Sequence, residues 1–335
     1  MPEGDTIFRT ARALNRALAG KPIVYFDTSL APIAQSHDQT PFTGQVVTQV
    51  ESRGKWLLIR IAGPESPELS ASVKDLAPKL ESASLVTRAR LQPGQKASEK
   101  KKGALAPERR FSPASTATER ILATHMLMSG SWHLYQPNDP WQDKDANARI
   151  ILEVADYQAV GFRIPVAKIY TPQTLLRDKK IPRQDRDVLH KDFDAKAAVD
   201  RLLARTNDEL GDAILRQEIL AGVGNVFKSE ICFTLKLNPF RKVSTLTKRQ
   251  AKQIVETAQK LLAANVLEDS DNLIVTYSGR MRRTTQNVDP TDNLWVYGRK
   301  GEPCRICQTP IQRALQGRNA RSTYWCPHCQ PIVAG

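Results

Sequence analysis

The chain has 335 residues, which is long enough for two domains with separate hydrophobic cores. Lysine and arginine number 49 against 35 aspartates and glutamates, and this excess of positive charge indicates a polyanionic partner such as nucleic acid. No apolar run is long enough to span a bilayer, and Glu3 and Asp5 stand where a signal peptide carries positive charge. We therefore expect no membrane association and an intracellular location, cytoplasmic and nucleoid-associated in a bacterium or nuclear in a eukaryote.

The chain starts Met1-Pro2-Glu3-Gly4. Removal of the initiator methionine would leave a secondary amine at Pro2 beside the carboxylate of Glu3. An amine can attack an aldehyde carbon to form a Schiff base, and a neighbouring carboxylate can move the protons. With proline the product is an iminium that is already charged and needs no further protonation to act as an electron sink. On these four residues alone, a frayed terminus is the simpler interpretation.

A helix and a hairpin follow. Apolar residues at i, i+4, i+7 and i+11 predict an amphipathic helix over residues 3–18. Short strands are predicted at 23–26, 45–52 and 56–61, and the last two form a hairpin that turns at Arg53-Gly54. Lys55 lies just past this turn. A lysine at a hairpin tip is usually solvated, and the alternative is that its ammonium points into a groove and holds a phosphate.

The stretch from 63 to 118 differs in composition from the rest. It is rich in proline, serine, alanine and lysine, with almost no aromatic residues. Such a segment buries too little apolar surface to offset its ordering entropy, so we predict a disordered or weakly helical insertion. Such a basic loop has two interpretations. It adds nonspecific DNA affinity, or it is a solvated loop without a role in binding.

Strands resume after the insertion and then give way to helices. The predicted strands are 121–134, 150–154, 159–162 and 167–170, which gives a β-rich first domain over residues 1–176. Residues 177–194 are polar and predict a linker. The helical period then predicts a second domain over 195–290, with helices at 195–205, 208–220, 225–236 and 247–265. A cysteine-rich tail over 291–335 closes the chain.

The tail carries the strongest local signal. Four cysteines form two Cys-x2-Cys pairs at the spacing of a zinc ribbon: Cys304, Cys307, Cys326 and Cys329. A redox dithiol would need only one pair. With four thiolates the site is closed, so we expect one structural Zn²⁺. The ribbon would carry Arg313, Arg318 and Arg321, with Tyr324 and Trp325 to brace it, and the alternative is a solvated ribbon face. Cys232 stands apart and is expected to be a small buried apolar residue.

A second signal is the break at Gly222-Val223-Gly224-Asn225, where one apolar helix ends and another begins. Asn225 is a good N-cap, and the free N–H groups at a helix start predict a phosphate seat that Lys228 would reinforce. Glycine turns between helices are also common for packing reasons alone, and the basic charge of the chain favours the phosphate interpretation.

Together these motifs resemble the formamidopyrimidine-DNA glycosylase/endonuclease VIII family of base-excision repair enzymes. The matching segments cover nearly the whole chain outside the insertion: Pro2-Glu3, Arg53-Gly54-Lys55-Trp56, 124–132, 222–225, Trp295-Val296-Tyr297-Gly298-Arg299 and 323–330. The resemblance implies an α+β multidomain fold. Its parts would be an N-terminal β-sandwich with a leading helix, a helical helix-two-turn-helix domain and a four-cysteine zinc ribbon.

The resemblance also implies roles. Pro2 would attack C1′ of the damaged nucleotide, expel the base, and cleave the strand by β,δ-elimination, with Glu3 as general acid/base. A base must leave the stack to be reached, and Met128 would fill the gap as a wedge, unless it is a buried strand residue. The expected catalytic residues are Pro2, Glu3, Lys55 and Arg321; the expected DNA contacts are Met128, Asn225, Lys228 and Arg53.

Two departures from the family pattern limit what the resemblance implies. Thr6 stands where many relatives have a second acidic residue near the sugar, so that auxiliary role is not carried over to this chain. Residues 158–163 lack the Arg-x-Phe pair of the 8-oxoguanine branch, although Phe162-Arg163 has these types in the reverse order. Together with the Met-Pro-Glu-Gly start and the strand at Trp132, the missing pair favours the endonuclease VIII branch, whose members prefer oxidised pyrimidines. We expect this chain to act as a monomer on such lesions in double-stranded DNA.

Two other classes remain open on the sequence. A catalytically silent DNA-binding protein of the same fold would be expected to lose Pro2, Glu3 or Lys55 first, and all three are present. A zinc-ribbon nucleic-acid module of unrelated function would give the chain start no role.

Overall fold

The computed structural model describes residues 2–63, 119–266, 284–285 and 293–332. The predicted insertion therefore lies, apart from residue 63, outside the described residues. Among the described residues no helix combines the length and the apolar character needed to cross a membrane. The fold consists of two β-sheets with a leading helix, a helical domain and a two-stranded ribbon. The predicted α+β architecture is confirmed.

The leading helix α1 (Gly4–Leu18) forms as its apolar spacing predicts. Ile7, Ala11, Leu14 and Leu18 are all buried on one face, which packs on the sheets. A second helix, α2 (Ala31–Gln39), was not predicted. It has Pro32 in its first turn and buries Ile33 alone, so its sequence carries almost no helical apolar pattern.

The two sheets form the predicted β-sandwich. One sheet has the strand order β1-β6-β7-β5 and the other β2-β3-β4-β8, with antiparallel neighbours throughout. The strands are β1 (Tyr25–Thr28), β2 (Val46–Arg53), β3 (Trp56–Ala62), β4 (Arg120–His125), β5 (Ser131–Tyr135), β6 (Ala148–Glu153), β7 (Gln158–Phe162) and β8 (Val166–Tyr170). One apolar cluster joins both sheets and α1, with members such as Leu14, Phe26, Val50, Leu57, Leu134 and Leu152.

The single strand predicted at 121–134 is wrong. The structure has two strands, β4 and β5, in different sheets, and they are separated by a turn over residues 126–130. Leu127 adopts a left-handed backbone with φ 46°, and the N–H of Gly130 donates to the carbonyl of Met126 at 2.8 Å. The turn begins with Met-Leu-Met, and its turn-favouring residues Ser129 and Gly130 come only at its end, so the apolar run conceals it.

A short helix, α3 (Pro172–Arg177), follows β8 and packs on it, with Leu175 in one apolar cluster with Trp56 and Leu58. The helical domain contains α4 (Ala195–Leu203), α5 (Leu210–Ile214), α6 (Asn225–Thr234) and α7 (Lys248–Ala264). Its core is a second apolar cluster that includes Leu202, Leu220, Phe227, Ile254 and Leu262. Cys232 is fully buried within it, as predicted. The helix predicted at 208–220 is only one and a half turns long, and the chain continues through turns to Gly222.

The segment 177–194, predicted as a linker, packs tightly between the domains. Ile181 and Val188 are buried, and the indole N–H of Trp56 donates to the carbonyl of Lys180 at 3.2 Å. Val188 N–H donates to Ala221 O at 3.2 Å. The segment therefore joins the hairpin of the first domain to the glycine turn of the second.

The tail forms the predicted ribbon from β9 (Gln312–Gln316) and β10 (Arg321–Trp325). Trp325 packs edge-on against Phe240 with ring centroids 4.8 Å apart, and Tyr324 packs against Tyr297 at 4.9 Å. The Trp325 contact holds the ribbon on the helical domain, and the Tyr324 contact packs the ribbon against the rest of the tail, so both residues brace the ribbon as expected.

Candidate active site

A cleft of about 880 Å³ opens where the sandwich, the helical domain and the ribbon meet. Five of the eight predicted catalytic and DNA-contacting residues line it: Pro2, Lys55, Met128, Asn225 and Arg321. They come from five separate parts of the chain, so their convergence is a result of the fold and not of local sequence.

The chain start is fixed by the helix start at Asn225. The Glu3 carboxylate is 0% exposed and accepts backbone hydrogen bonds from Gly224 at 3.0 Å, Val226 at 2.9 Å and Phe227 at 3.4 Å. Gly4 N–H donates to Gly222 O at 2.8 Å. A carboxylate at a helix N-terminus is favoured by both the free N–H groups and the helix dipole.

The phosphate seat predicted at this helix start is therefore wrong. The N–H groups that would bind a phosphate are already bonded to Glu3. Asn225 is also not the N-cap, because Gly224 holds that position and Asn225 is the first helical residue.

The glycines of this turn permit the close approach. A Cβ at Gly224 would lie 2.3 Å from Cδ of Glu3, and a Cβ at Gly4 would lie 2.6 Å from Cα of Gly222. Gly222 itself has φ +99°. Residues with a Cβ at these positions would push the chain start away from the helix.

Asn225 faces the cleft, although its side chain is only 8% exposed. Within the described parts of the chain its Oδ1 has no hydrogen-bond partner. A buried polar atom without a partner costs free energy unless a ligand or water supplies one. Asn225 is thus placed to bind a ligand in the cleft.

The hairpin turn presents Lys55 to the cleft but not Arg53. Arg53 is 6% exposed and forms an ion pair with Glu51 at 2.9 Å. The prediction that Arg53 contacts DNA is corrected, because alternation along β2 turns its side chain away from the surface.

His125 is a cleft residue to which the sequence assigned no role. It pairs with Trp56 across β3 and β4, with the rings edge to face at 5.1 Å. Burial and the nearby charge of Lys55 lower the pKa of His125 to about 4, so the ring is neutral at pH 7. Its Nδ1 accepts the N–H of Leu127 at 3.1 Å, which leaves Nε2 as the donor.

Met128 lies at the tip of the 126–130 turn, 69% exposed, beside Leu127 at 46%. The alternative that Met128 is a buried strand residue is therefore wrong, and Met126 at 1% exposure fills that role.

Lys228 is not a surface phosphate contact. It is 0% exposed and its Nζ donates to Thr323 Oγ1 at 2.6 Å and to Ser322 O at 3.2 Å. Burial lowers its pKa to about 8. The lysine instead bonds α6 to the ribbon strand that begins at Arg321.

The ribbon tip contributes Arg318 and Arg321 to the cleft. Both are exposed, as a phosphate contact requires. Arg313, by contrast, bonds to the hydroxyl of Ser322 across the ribbon at 2.8 Å.

One wall of the cleft was not predicted from the sequence, because it is a network of positively and negatively charged side chains. Arg216 donates to Asp208 at 2.9 Å and lies 3.7 Å from Asp212, and all three line the cleft. Arg205 stands beside them and pairs with Glu218 at 2.9 Å. No motif marks such a network.

The four cysteines form a site that fits a metal. Their Sγ atoms all lie within 4.8 Å of one another, with neighbouring pairs at 3.4 Å and 3.9 Å. Tetrahedral coordination at the usual zinc–sulfur distance separates the sulfurs by about 3.8 Å. With no open ligand position the site is structural.

Family comparisons agree with this geometry. The formamidopyrimidine-DNA glycosylase N-terminal domain model matches residues 1–164, its H2TH domain model matches 185–276, and the "zinc finger found in FPG and IleRS" model matches 301–332. "Probable endonuclease 8 2" of Streptomyces coelicolor is 32% identical over 98% of this chain and 94% of its own length. "DNA-(apurinic or apyrimidinic site) lyase Nei2" of Mycolicibacterium smegmatis is 31% identical over 98% and 99%.

Solved structures share the fold. Lactococcus lactis formamidopyrimidine-DNA glycosylase bound to DNA with an AP site superposes with a TM-score of 0.66 at 19% identity, covering 98% of this chain and all of that one. The same enzyme with N7-benzyl-Fapy-dG DNA gives 0.67 at 18% identity, covering 99% of this chain and all of that one. The chain belongs to the formamidopyrimidine-DNA glycosylase/endonuclease VIII family. Its enzyme class is accordingly that of a DNA glycosylase with AP lyase activity.

Proposed function

We propose that this chain is a bifunctional base-excision repair enzyme that removes oxidised pyrimidines from double-stranded DNA through a Schiff base at Pro2. The observation that supports this most is the convergence of Pro2, Lys55, Asn225 and Arg321 on one cleft. A nucleophile beside cationic and amide side chains is the arrangement that a nucleotide with flanking phosphates requires.

The reaction starts with the free amine of Pro2 once Met1 is removed. Its nitrogen lone pair attacks C1′ as the bond from C1′ to the base breaks, and the base leaves with a proton. The sugar ring opens to give an iminium between the proline nitrogen and C1′. This cation acidifies the C2′ proton, whose loss expels the 3′ phosphate, and a second elimination expels the 5′ phosphate. Water then hydrolyses the imine and frees the enzyme.

Glu3 has two functions in this proposal. Its bonds to the helix start fix the backbone of residues 2–4, and so aim the Pro2 nitrogen. A carboxylate also has more acceptor capacity than the backbone bonds use, and Glu3 would exchange protons with the sugar as the ring opens.

Lys55, Asn225 and Arg321 would bind the phosphates around the extruded nucleotide. Lys55 and Arg321 supply charge, and the side-chain NH2 of Asn225, which lines the cleft, would donate to a phosphate oxygen. Met128 and Leu127 would fill the space that the nucleotide vacates, because they expose apolar side chains at the cleft rim.

The preference for pyrimidines is supported by residues 162 and 163. Phe162 is fully buried, and Arg163 forms an ion pair with Asp143 at 2.5 Å. The Arg-x-Phe pair that the resemblance assigns to the 8-oxoguanine branch is absent from residues 158–163. The relatives named endonuclease 8 point the same way.

The metal in the four-cysteine site would be Zn²⁺, and its role would be to stabilise the ribbon that carries Arg318 and Arg321. The enzyme would act as a monomer.

A catalytically silent DNA-binding protein remains the alternative, and a single experiment separates it from an active enzyme.

That experiment is borohydride trapping. Purified protein is incubated with a duplex that contains one abasic site, and borohydride reduces any imine to a stable amine. Wild-type protein should form a covalent DNA adduct, and Pro2→Gly or a variant that retains Met1 should form at least about tenfold less. Binding of the duplex without any adduct would establish the silent alternative. A panel of thymine glycol, dihydrouracil, 5-hydroxycytosine and 8-oxoguanine duplexes then tests the pyrimidine preference.

A further inference from the structure

Asp187 is a buried carboxylate that the proposed reaction does not use. It is 2% exposed and lies in the segment between the two domains. Burial raises the pKa of its carboxyl, and the ionisable groups that face it are His190 and Arg53. A carboxylate buried in this way is costly unless hydrogen bonds offset the loss of water, so its partners show what it holds in place.

Both carboxylate oxygens accept backbone hydrogen bonds. Oδ2 accepts the N–H of Gly54 at 2.8 Å and Oδ1 accepts the N–H of Leu189 at 3.1 Å. Gly54 immediately precedes Lys55 and has φ +61°. A Cβ at Gly54 would lie 2.9 Å from Cγ of Pro182, so the hairpin turn is pressed directly onto the segment that carries Asp187.

The backbone around Asp187 is hydrogen-bonded to the glycine turn that holds the chain start. Asp187 and Ala221 form a parallel bridge, in which Ala221 N–H donates to Arg186 O at 2.9 Å and Val188 N–H donates to Ala221 O at 3.2 Å. Ala221 is followed by Gly222, whose carbonyl accepts the N–H of Gly4 at 2.8 Å.

These bonds form one continuous path. It runs from the turn before Lys55, through the Asp187 side chain and backbone, to the turn on which Gly4 is seated. Lys55 is one residue from one end of this path, and Pro2 is two residues from the other. Pro2 and Lys55 both belong to the first domain. The path connects them through the 177–194 segment and through the glycine turn of the helical domain, which packs against that segment.

We infer that Asp187 is a positioning residue that sets Lys55 against Pro2 where the two domains meet. This inference rests on the proposed function, in which Pro2 is the nucleophile and Lys55 holds a phosphate beside it. Asp187 is not among the described residues that line the cleft, so it acts on the reaction only through the hairpin turn.

Loss of the carboxylate should leave DNA affinity nearly intact while slowing the chemistry. Removing the acceptor leaves Gly54 N–H buried without its partner and lets the turn shift. A displacement of about 1 Å at a catalytic group can reduce a rate by about a hundredfold. For Asp187→Ala we expect the single-turnover rate of abasic-site cleavage at saturating enzyme to fall by roughly ten- to a hundredfold.

Asp187→Asn is the conservative variant, since its amide oxygen can still accept one of the two N–H groups. Its rate should lie between those of wild type and Asp187→Ala, and it carries the test if the alanine variant does not fold. Asp185→Ala is the matched control. Asp185 is two residues away, is partly exposed, and pairs with Arg183 at 3.2 Å, so its loss should leave the rate unchanged.

A double-mutant cycle with Lys55→Ala decides whether Asp187 acts through Lys55. If it does, the Asp187→Ala substitution should lower the rate by less than about twofold in a Lys55→Ala background, because residues that act as a unit are not additive. Affinity for duplex with a reduced abasic site, measured by fluorescence anisotropy, should change less than about threefold, since one phosphate contact at most is weakened.

The inference is overturned if the Asp187 variants cleave at the wild-type rate, if the two losses multiply in the cycle, or if affinity falls as far as the rate. These outcomes are distinct from a failure of the proposed function. Without wild-type cleavage or trapping the proposed function fails, whereas an active wild type with equally active Asp187 variants removes Asp187 alone.

Discussion

The cleft has two sides that are built in opposite ways. On one side the chain start at Pro2 is held by Glu3, whose carboxylate is fully buried and bonded to three backbone N–H groups. On the other side, the 126–130 turn exposes Leu127 and Met128 at the tip of two strands. One side has no freedom to move without breaking buried bonds, and the other is free to repack.

This difference matches the two tasks of the proposed reaction. A nucleophile must be aimed to within a fraction of an ångström, which requires a rigid and bonded support. A wedge has to enter a stack of bases whose sequence varies, which suits unbranched, flexible side chains such as methionine. Substitutions on the two sides should therefore differ in their effects on chemistry and on stability.

Substitution on the rigid side should abolish activity. In Gly224→Ala the new Cβ would overlap the Glu3 side chain, so the carboxylate must leave the helix start and Pro2 moves with it. We expect borohydride trapping to fall by at least about a hundredfold and unfolding free energy to fall by about 1–3 kcal/mol. Gly44→Ala is the control for a destabilised glycine, because its φ of +84° strains any side chain while the new Cβ meets only open space, outside the cleft. If Gly224→Ala is trapped as efficiently as the wild-type protein, the bonds between Glu3 and the helix start do not position the Pro2 nitrogen.

Removal of the metal should disorder the ribbon and so remove the phosphate contacts of Arg318 and Arg321. With the thiolates free, the ribbon loses the folding free energy that metal binding provides. The dependence of log affinity on log salt should then become shallower by about 1.8, because Arg318 and Arg321 would each give up one phosphate. Anisotropy titrations at several salt concentrations, before and after chelation, measure this slope, and added Zn²⁺ should restore it. An unchanged slope after verified metal loss would remove the ribbon from DNA binding.

Substitution on the flexible side should slow base release without affecting stability. Met128 is 69% exposed, so Met128→Ala should change the unfolding free energy by less than about 0.5 kcal/mol. We expect excision from a thymine glycol duplex to slow about tenfold, because the gap in the stack is no longer filled and unstacking costs a few kcal/mol. Leu176→Ala is the control, since Leu176 is 81% exposed on α3 and away from the cleft. Equal excision rates for the two variants would exclude Met128 as the wedge.

The smallest effect concerns His125, which contacts Trp56 beside the hairpin turn and Leu127 in the 126–130 turn. The pKa of His125 is lowered from 6.5 to about 4. Between these two pH values the ring takes up a proton in the unfolded chain but not in the folded chain. Stability should therefore fall as pH falls from about 6.5 to about 4, by about 1–2 kcal/mol from this group after allowance for partial exposure.

His125→Asn removes this titration while its amide oxygen can still accept the Leu127 N–H. Denaturant unfolding at about pH 7 and about pH 4.5 should show a smaller loss of stability for the variant than for wild type. An equal loss would mean that His125 does not titrate as its surroundings require.

The fold and much of the site followed from local signals in the sequence. The spacing of Cys304, Cys307, Cys326 and Cys329 predicts their tetrahedral site because each pair lies on one tight turn. The 53–56 hairpin and α1 were likewise predictable, since their patterns are complete within a few residues.

Three of the differences between prediction and structure share a physical cause, which is that the partner of each residue lies far away in sequence. Glu3 bonds to Gly224, 221 positions on, and this contact fills the helix start where a phosphate seat was predicted. Lys228 looks like a surface lysine until the ribbon covers it, 95 positions on at Thr323. The segment 177–194 looks like a linker because Asp187 is polar, and its partner Gly54 lies 133 positions earlier.

In the proposed reaction the nitrogen of Pro2 is the atom that bonds to the sugar. The most direct test is to digest the borohydride-trapped complex of wild-type protein and abasic-site duplex, and to locate the modified residue by tandem mass spectrometry. We expect a single sugar-modified peptide that begins at Pro2 and carries the adduct on its terminal nitrogen. An adduct on Lys55 or another lysine, or a modified peptide that still contains Met1, would contradict the claim.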